Sequence, residues 1–311
     1  MWFKNLQIYR LPAAWDVTAE AVEERLATKR FVPCGSQDPE SRGWVSPTGD
    51  EFLVHRVGGQ WLIALGIEHK LLPSSVVKQE AEERAEDIAA RQGYKPGRKQ
   101  LKELREQVMQ ELLPRAFSRR RKVYAWIDPV GGWLGVDASS QARAEDVLEA
   151  LRQSLDTLPL GLLRTELSPA SAMADWLAGG EAPAGFTIDQ DCELRSVSED
   201  KAAVRYVRHP LEGDEVRNHL EAGKLPTRLA LTFDDRVSFV LSEKLEIKRI
   251  DFLDVVKERL DEQGAEDARA LFDAGFALMT GELGRLLPAL IEALGGELNA
   301  GAGELALRPA A

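Results

Sequence analysis

The chain has 311 residues, and its 51 acidic side chains outnumber 40 basic ones, giving a formal net charge of -11. That balance excludes a protein that coats a polyanion with its whole surface, and permits one that confines binding to a segregated basic face. The length suits two domains, or one domain with a sizeable insertion.

Residues 2 to 9 alternate as a strand. Thr18 is placed to cap a helix running to about Lys29, with Ala21, Val22 and Leu26 on one side. Residues 31 to 43, rich in Pro, Gly, Ser and Asp, read as a loop. Gly58 and Gly59 separate two strand-like runs, 52 to 57 and 60 to 65, a two-residue hairpin signal. After Pro73 the period turns helical over 75 to 92, breaks at Gly93 to Gly97, and resumes over 98 to 112. There Leu101, Leu104, Val108 and Leu112 form an apolar stripe. The pair reads as a helical hairpin that projects from a sheet as an arm and stops at Pro114. Strands are predicted over 123 to 128 and 133 to 137, and a helix over 141 to 156. Residues 159 to 185 read as a boundary with one short helix near Trp176.

Beyond it come a strand over 202 to 208, a helix over 212 to 222, and a meander over 228 to 233, 237 to 241 and 245 to 250. A mainly helical stretch runs from Asp251 to about Leu294, with Gly275, Gly281 and Gly284 as candidate interruptions, and the Gly/Ala-rich tail after Gly295 is expected to fray. The order implies an α+β fold of antiparallel sheets with packed helices. It divides into a central domain (1 to 75 plus 123 to 160), an arm (76 to 122) and a C-terminal base (161 to 311).

No uninterrupted apolar run nears the ~20 residues of a membrane helix, and the first nine residues lack the regions of a signal peptide. Cys34 and Cys192 read as two lone thiols of a reducing compartment. A cytoplasmic protein with no membrane partner is expected.

One segment reverses the sign of the chain. Residues 91 to 122 hold eleven Lys/Arg against three Glu, a local +8, ending in Arg115-Ala-Phe-Ser-Arg-Arg-Arg-Lys122. Local charge sets the field near a surface, because distant charges are screened within about 8 to 10 Å. Arg98, Lys99, Arg115, Arg119, Arg120, Arg121 and Lys122 are therefore candidate phosphate contacts, with Arg205 and Arg208 as a second basic point. The plainer alternative is a solvated charged face. Phe117 either packs into a partner or fills the hinge between arm and sheet. From residue 251 to the end, twelve acidic and five basic residues leave -7, so this end is expected to face away from a polyanion.

Signs of catalysis are sparse. There is no phosphate-cradling Gly-rich loop and no nucleophile elbow, and His55, His69, His209 and His219 show no metal-ligand spacing. His209 and His219 bracket Glu212 and Asp214, more simply solvated loop and helix residues than a cation site. Asp234 or Asp235 followed by Glu246-Ile-Lys248 matches the acidic and Glu-x-Lys arrangement of metal-dependent nucleases. An alternative reading is thus a nuclease using Asp235, Glu246 and Lys248, set against Asp as a common turn residue. No resident metal or cofactor is otherwise implied.

The chain resembles the recombination-associated protein RdgC family of proteobacteria from end to end. The likeness rests on Trp2-Phe-Lys-Asn-Leu6, Phe31-Val-Pro-Cys-Gly-Ser-Gln-Asp38, Leu72-Pro-Ser-Ser-Val-Val-Lys-Gln79, Leu112-Leu-Pro-Arg-Ala-Phe-Ser-Arg119, Asn218-His-Leu-Glu-Ala-Gly-Lys224 and Phe276-Ala-Leu-Met-Thr-Gly-Glu-Leu283. The resemblance implies a non-enzymatic, nucleoid-associated protein whose horseshoe subunits form a ring-shaped homodimer around double-stranded DNA. It implies little sequence preference, and restraint of the RecA recombinase by competition for DNA. Phe117 would then lie at a dimer contact or gate. The chain departs from the family pattern in its Pro/Gly-broken arm and in a weakly basic Tyr206 to Pro210.

Overall fold

The computed structural model describes residues 1 to 12, 15 to 199, 201 to 262 and 267 to 298. Among the described residues, twelve strands make one antiparallel assembly around which the helices are arranged. In chain order they are β1 Asn5–Arg10, β2 Glu40–Val45, β3 His55–Val57, β4 Gln60–Lys70, β5 Ser118–Asp128, β6 Trp133–Val136, β7 Gly161–Leu162, β8 Phe186–Ser196, β9 Ala203–Tyr206, β10 Lys224–Phe233, β11 Val237–Ser242 and β12 Ile247–Phe252. The helices are α1 Ala19–Ala27, α2 Ser74–Gln92, α3 Arg98–Leu112, α4 Gln141–Ser154, α5 Pro169–Gly179, α6 Asp214–Glu221, α7 Asp254–Glu262 and α8 Ala268–Ala293. The α+β expectation therefore holds.

The strand order is β2-β4-β5-β6-β1-β12-β11-β10-β8-β9, with β3 on β4 and β7 on β1. β1 is the seam. Asn5 and Leu6 pair with Lys248 and Ile247 of β12, whereas Gln7 to Arg10 pair with β6. Asp137 fixes this junction by accepting the Lys4 and Asn5 amides at 3.2 and 3.0 Å, and burial pushes its carboxyl pKa up.

Strand alternation splits the core between two faces. Tyr9, Trp44, Ile63, Leu65, Val123, Ala125 and Ile127 pack against Val22 and Leu26 of α1 and Val147, Leu148 and Leu151 of α4. Leu6, Leu62 and Trp126 point the other way, and join β8 to β12, α5 and α8 in a second cluster. α8 is a helix throughout, passing Gly275, Gly281, Gly284 and Pro288. Each glycine costs about 1 kcal/mol relative to alanine, but the burial of Phe276, Met279, Leu283, Leu286, Leu287 and Leu290 outweighs that. It has the length and hydropathy of a membrane span, yet that apolar face is spent in the core.

Where a loop is expected over 31 to 43, β2 begins at Glu40 and pairs with β4 from Glu40↔His69 to Val45↔Ala64. The preceding residues form a strap across the sheet: Phe31 N donates to Trp44 O, Trp44 N to Lys29 O, and Cys34 N to Glu68 Oε2. Two glycines let it lie flat. A Cβ on Gly43 would sit 2.4 Å from Phe31 Cα and 2.5 Å from its nitrogen, and one on Gly66 would sit 3.2 Å from Phe31 Cδ2. Gly43→Ala meets backbone that cannot rotate away, so it should cost about 1 to 3 kcal/mol as overpacking does. Urea unfolding measures this, and a midpoint equal to that of the parent would refute the tight approach.

Gly58 and Gly59 both have positive φ (58° and 83°) and form the expected hairpin turn between β3 and β4. Gly93, at φ 81°, ends α2 with its amide on Ala89 O. α2 and α3 meet through buried Ala81, Ala85 and Val108 and an Arg84–Glu111 ion pair of 2.8 Å. Cys34 and Cys192 are unpaired, the second buried in the core. Of the tail expected to fray, residues 296 to 298 pair back instead: Gly296 O accepts from Glu166 N, Glu297 bridges to Thr165 and Leu298 N donates to Arg164 O. Residues 299 to 311 lie outside the described residues.

Candidate nucleic-acid interface

The basic run does not wait for the sheet; it is part of it. β5 starts at Ser118, five residues before the predicted strand, and its charged half pairs with the end of β4: His69↔Arg119, Glu68↔Arg120, Ile67↔Arg121 and Gly66↔Lys122. Alternation then sends consecutive cations to opposite faces.

On the helix face, Arg121 Nη2 lies 3.2 Å from Asp146 Oδ2 of α4, and Arg42 of β2 takes the other oxygen of that carboxylate at 2.9 Å. On the strap face, Arg120 Nε lies 3.3 Å from Glu68 Oε2, with its guanidinium carbon 5.6 Å from the centre of the Phe31 ring. The Cys34 amide, with lesser help from Ser118 and Arg120, holds the Glu68 carboxyl below its ordinary pKa. Lys122 Nζ donates to Ser46 O at 2.9 Å. These three cations already have partners, and a ligand would compete for them.

Arg115 and Arg119 differ. Arg115 closes the 3₁₀ turn 113–115, which continues α3, and Arg119 stands one pair from the start of β5; both are exposed. Among the described residues, neither forms an ion pair or donates a side-chain hydrogen bond. Between them Phe117 is 83% exposed. It therefore does not fill the hinge between helix and strand. Its carbonyl accepts from Leu71 N at 2.7 Å, which sets half-exposed Leu71 beside it. Leu71 is a neighbour that sequence reasoning missed, because only the β4–β5 register brings it there.

Arg98 and Lys99 open α3 and are exposed. Fifteen residues of helix set them about 22 Å from the Arg115 turn. Cations in a first helical turn oppose the macrodipole, at a cost of some tenths of a kcal/mol that a bound anion would relieve. Arg205, on β9, is seven strand steps from β5, roughly 34 Å at ~4.8 Å per strand. Arg208 follows β9 with φ 52°, its amide held by Asp191 Oδ1 at 2.9 Å. The predicted cations thus form one group at the α3–β5 junction, a pair at the far end of α3, and a separate group at the other edge of the sheet.

The nuclease constellation does not assemble. Asp234 and Asp235 occupy the β10–β11 turn with φ 51° and 50°, whereas Glu246 sits at the β11–β12 turn. The six residues of β11 separate them by about 20 Å. Asp234 pairs with Arg285 at 3.1 Å, and Glu246 with Lys248 at 2.7 Å and Gln7 at 3.1 Å. Asp at these positions serves the left-handed backbone of a turn. No group of three or more His, Cys, Asp or Glu suited to a metal occurs among the described residues. His209 and His219 flank Tyr206, with ring centroids 5.4 and 6.5 Å away, and His209 Nε2 lies 3.4 Å from Glu215.

A family model described as "RdgC: Putative exonuclease, RdgC" matches residues 1 to 297. The chain is 62% identical over 302 residues to the recombination-associated protein RdgC of Dechloromonas aromatica, covering 96% of this chain and 99% of that relative. It is 54% identical to the protein of the same name from Herminiimonas arsenicoxydans and 53% identical to that of a Janthinobacterium species, each over 96% of this chain and 99% of the relative. With this coverage, the chain belongs to the RdgC family of recombination-associated proteins.

Proposed function

We propose that this protein binds double-stranded DNA without sequence preference, encircles it as a homodimeric ring, and so limits access of the RecA recombinase. It acts as a binding protein of the nucleoid and not as an enzyme. The observation that carries this reading is the α3–β5 junction, where Arg115 and Arg119 flank exposed Phe117 on a chain of net charge -11. Unpaired guanidinium groups suit phosphates, which carry no base information, so discrimination between sequences should be small. An aromatic side chain 83% exposed between them suits a contact with a second copy, since two self-complementary contacts close a two-fold ring. In this reading α2 and α3 form the arm (76 to 122) of a horseshoe subunit, residues 1 to 75 with 123 to 160 its centre, and 161 to 311 its base. Arg98 and Lys99 extend the DNA path along the arm, Arg120, Arg121 and Lys122 join it from β5, and Arg205 and Arg208 meet it from the base.

The test is topological. Bound to closed-circular duplex at low salt and then washed at high salt, the protein should stay on circles and slide off the same DNA once linearised. Phe117→Glu should abolish retention on circles, and sedimentation should show a weakened dimer. Equal loss from circles and linear DNA would rule out encirclement.

A further inference from the structure

The Glu246-Ile-Lys248 motif, left over from the nuclease reading, belongs to a different arrangement. On the face of the C-terminal strands turned away from the core lies a cavity of about 90 Å³, walled by Arg205, Arg228, Lys248 and Arg249 together with Asp191 and Glu193. Four cations and two carboxylates leave it a net +2, and +1 if Glu246, 2.7 Å behind Lys248, is counted.

The carboxylates are occupied elsewhere. Glu193 Oε1 accepts from Thr227 Oγ1 at 2.9 Å and Arg195 Nη2 at 3.0 Å, and Asp191 Oδ1 accepts from the Arg208 amide at 2.9 Å. Toward the cavity they form long ion pairs with Arg228 and Arg249, at 3.8 and 3.7 Å, outside hydrogen-bonding range, so the guanidinium N–H groups stay available to a ligand. Among the described residues, no guanidinium N–H of Arg205, Arg228 or Arg249 donates a hydrogen bond. The cluster thus offers many donors, aimed by carboxylates that do not consume them.

Arg249 reaches the cavity at a backbone cost. Two residues of β12, Arg249 and Ile250, stand where β11 has one, and in this bulge Arg249 takes φ 52°. A bulge re-aims a side chain, and that region of backbone favours glycine over any residue with a Cβ. A glycine here would relieve strain, yet an arginine occupies the site.

We propose that this cavity binds a single phosphate group, and that its ligand is a backbone phosphate of nucleic acid. The size fits one tetrahedral oxyanion, and guanidinium forks match its oxygens. The choice of nucleic acid over free phosphate rests on the DNA-binding reading above, which already includes Arg205.

Arg249→Gly makes the test clean, because it removes a cation while easing the backbone, so the fold should melt no lower than the parent. Arg228→Gln is the second variant, and Lys244→Gln, exposed outside the cavity, controls for loss of charge alone. The full-length protein is titrated with inorganic phosphate by calorimetry, and with duplex DNA across a salt series. The expected result is saturable phosphate binding weakened at least tenfold in Arg249→Gly and Arg228→Gln but not in Lys244→Gln. The same two variants should lower the magnitude of the DNA salt slope by about 0.9, the signature of one lost phosphate contact. Absence of saturable phosphate binding, or a parental titration in Arg249→Gly, overturns the proposal. Loss of phosphate binding with an unchanged DNA slope overturns the nucleic-acid assignment in favour of free phosphate. If the parent binds phosphate in this cavity but no DNA, the cavity stands as a phosphate site and the proposed function fails.

Discussion

Reversing Arg115 and Arg119 to glutamate is expected to weaken duplex binding by roughly 100-fold or more near physiological salt. Charge-assisted hydrogen bonds are worth about 1.5 to 3 kcal/mol each, so two lost contacts account for ~3 to 6 kcal/mol before repulsion between the new carboxylates and phosphates is added. Both side chains are exposed and without ion pairs among the described residues, so folding stability should change by no more than about 0.5 kcal/mol. The salt dependence should also fall by about 1.8, or 0.9 for each contact removed. Fluorescence anisotropy with a labelled duplex at several salt concentrations reads both quantities, and thermal unfolding checks the fold. Arg121→Gln should behave in the opposite sense. Arg121 already spends its charge on Asp146 at 3.2 Å, so its loss should disturb the sheet–α4 contact more than DNA binding. Parental affinity in the double variant would remove the α3–β5 junction from the DNA path.

The contrast between Arg119 and Arg121 was not legible in the sequence, where the two are equivalent members of one basic run. Only the β4–β5 register assigns them different neighbours, and register depends on residues about fifty positions apart. The sequence also places the run ahead of its strand, because four consecutive cations have poor strand propensity; pairing with β4 overrides that preference. β8 is hidden in the sequence for a similar reason. Its Asp189, Asp191, Glu193 and Arg195 interrupt any apolar run, yet Phe186, Cys192 and Leu194 supply the buried side of an 11-residue strand. β2 was hidden by the glycine-rich composition that lets the strap cross it. Local signals succeeded where the physics is local: the Thr18 cap, the Gly58–Gly59 turn, and the break between α2 and α3 all stand as expected. The phosphate cavity lies at the other extreme. Arg205, Arg228 and Arg249 come from three strands, and no sequence spacing announces a β-bulge.

Glu282→Gln is expected to cost about 3 to 5 kcal/mol at neutral pH, the usual penalty for removing one member of a buried ion pair. Glu282 projects from α8 and is 6% exposed at its side chain, against 11% for Arg236, which ends the turn before β11. Arg236 donates to Oε1 through Nε at 3.0 Å and Nη2 at 2.5 Å, and Arg285 donates to Oε2. Burial pushes the Glu282 carboxyl up, but the hydrogen bonds from both arginines outweigh it and leave its pKa below the ordinary value. A depressed folded-state pKa contributes stability that is present above the unfolded value, near 4.3, and is lost as pH falls through the folded one. The gap between parent and Glu282→Gln should therefore be full at pH 7 and narrow in acid, as the parent's carboxyl takes up its own proton. Urea midpoints at pH 7 and pH 3.5 measure this. A gap that stays constant between them would mean that the loss comes from altered packing and not from the charge. The fold has a compensating solution, since buried ion pairs can be replaced by apolar groups of similar volume without loss. Arg236→Met with Glu282→Leu should recover most of the stability and remove the acid-dependent part, because no carboxyl remains there to titrate against the β10–β11 turn.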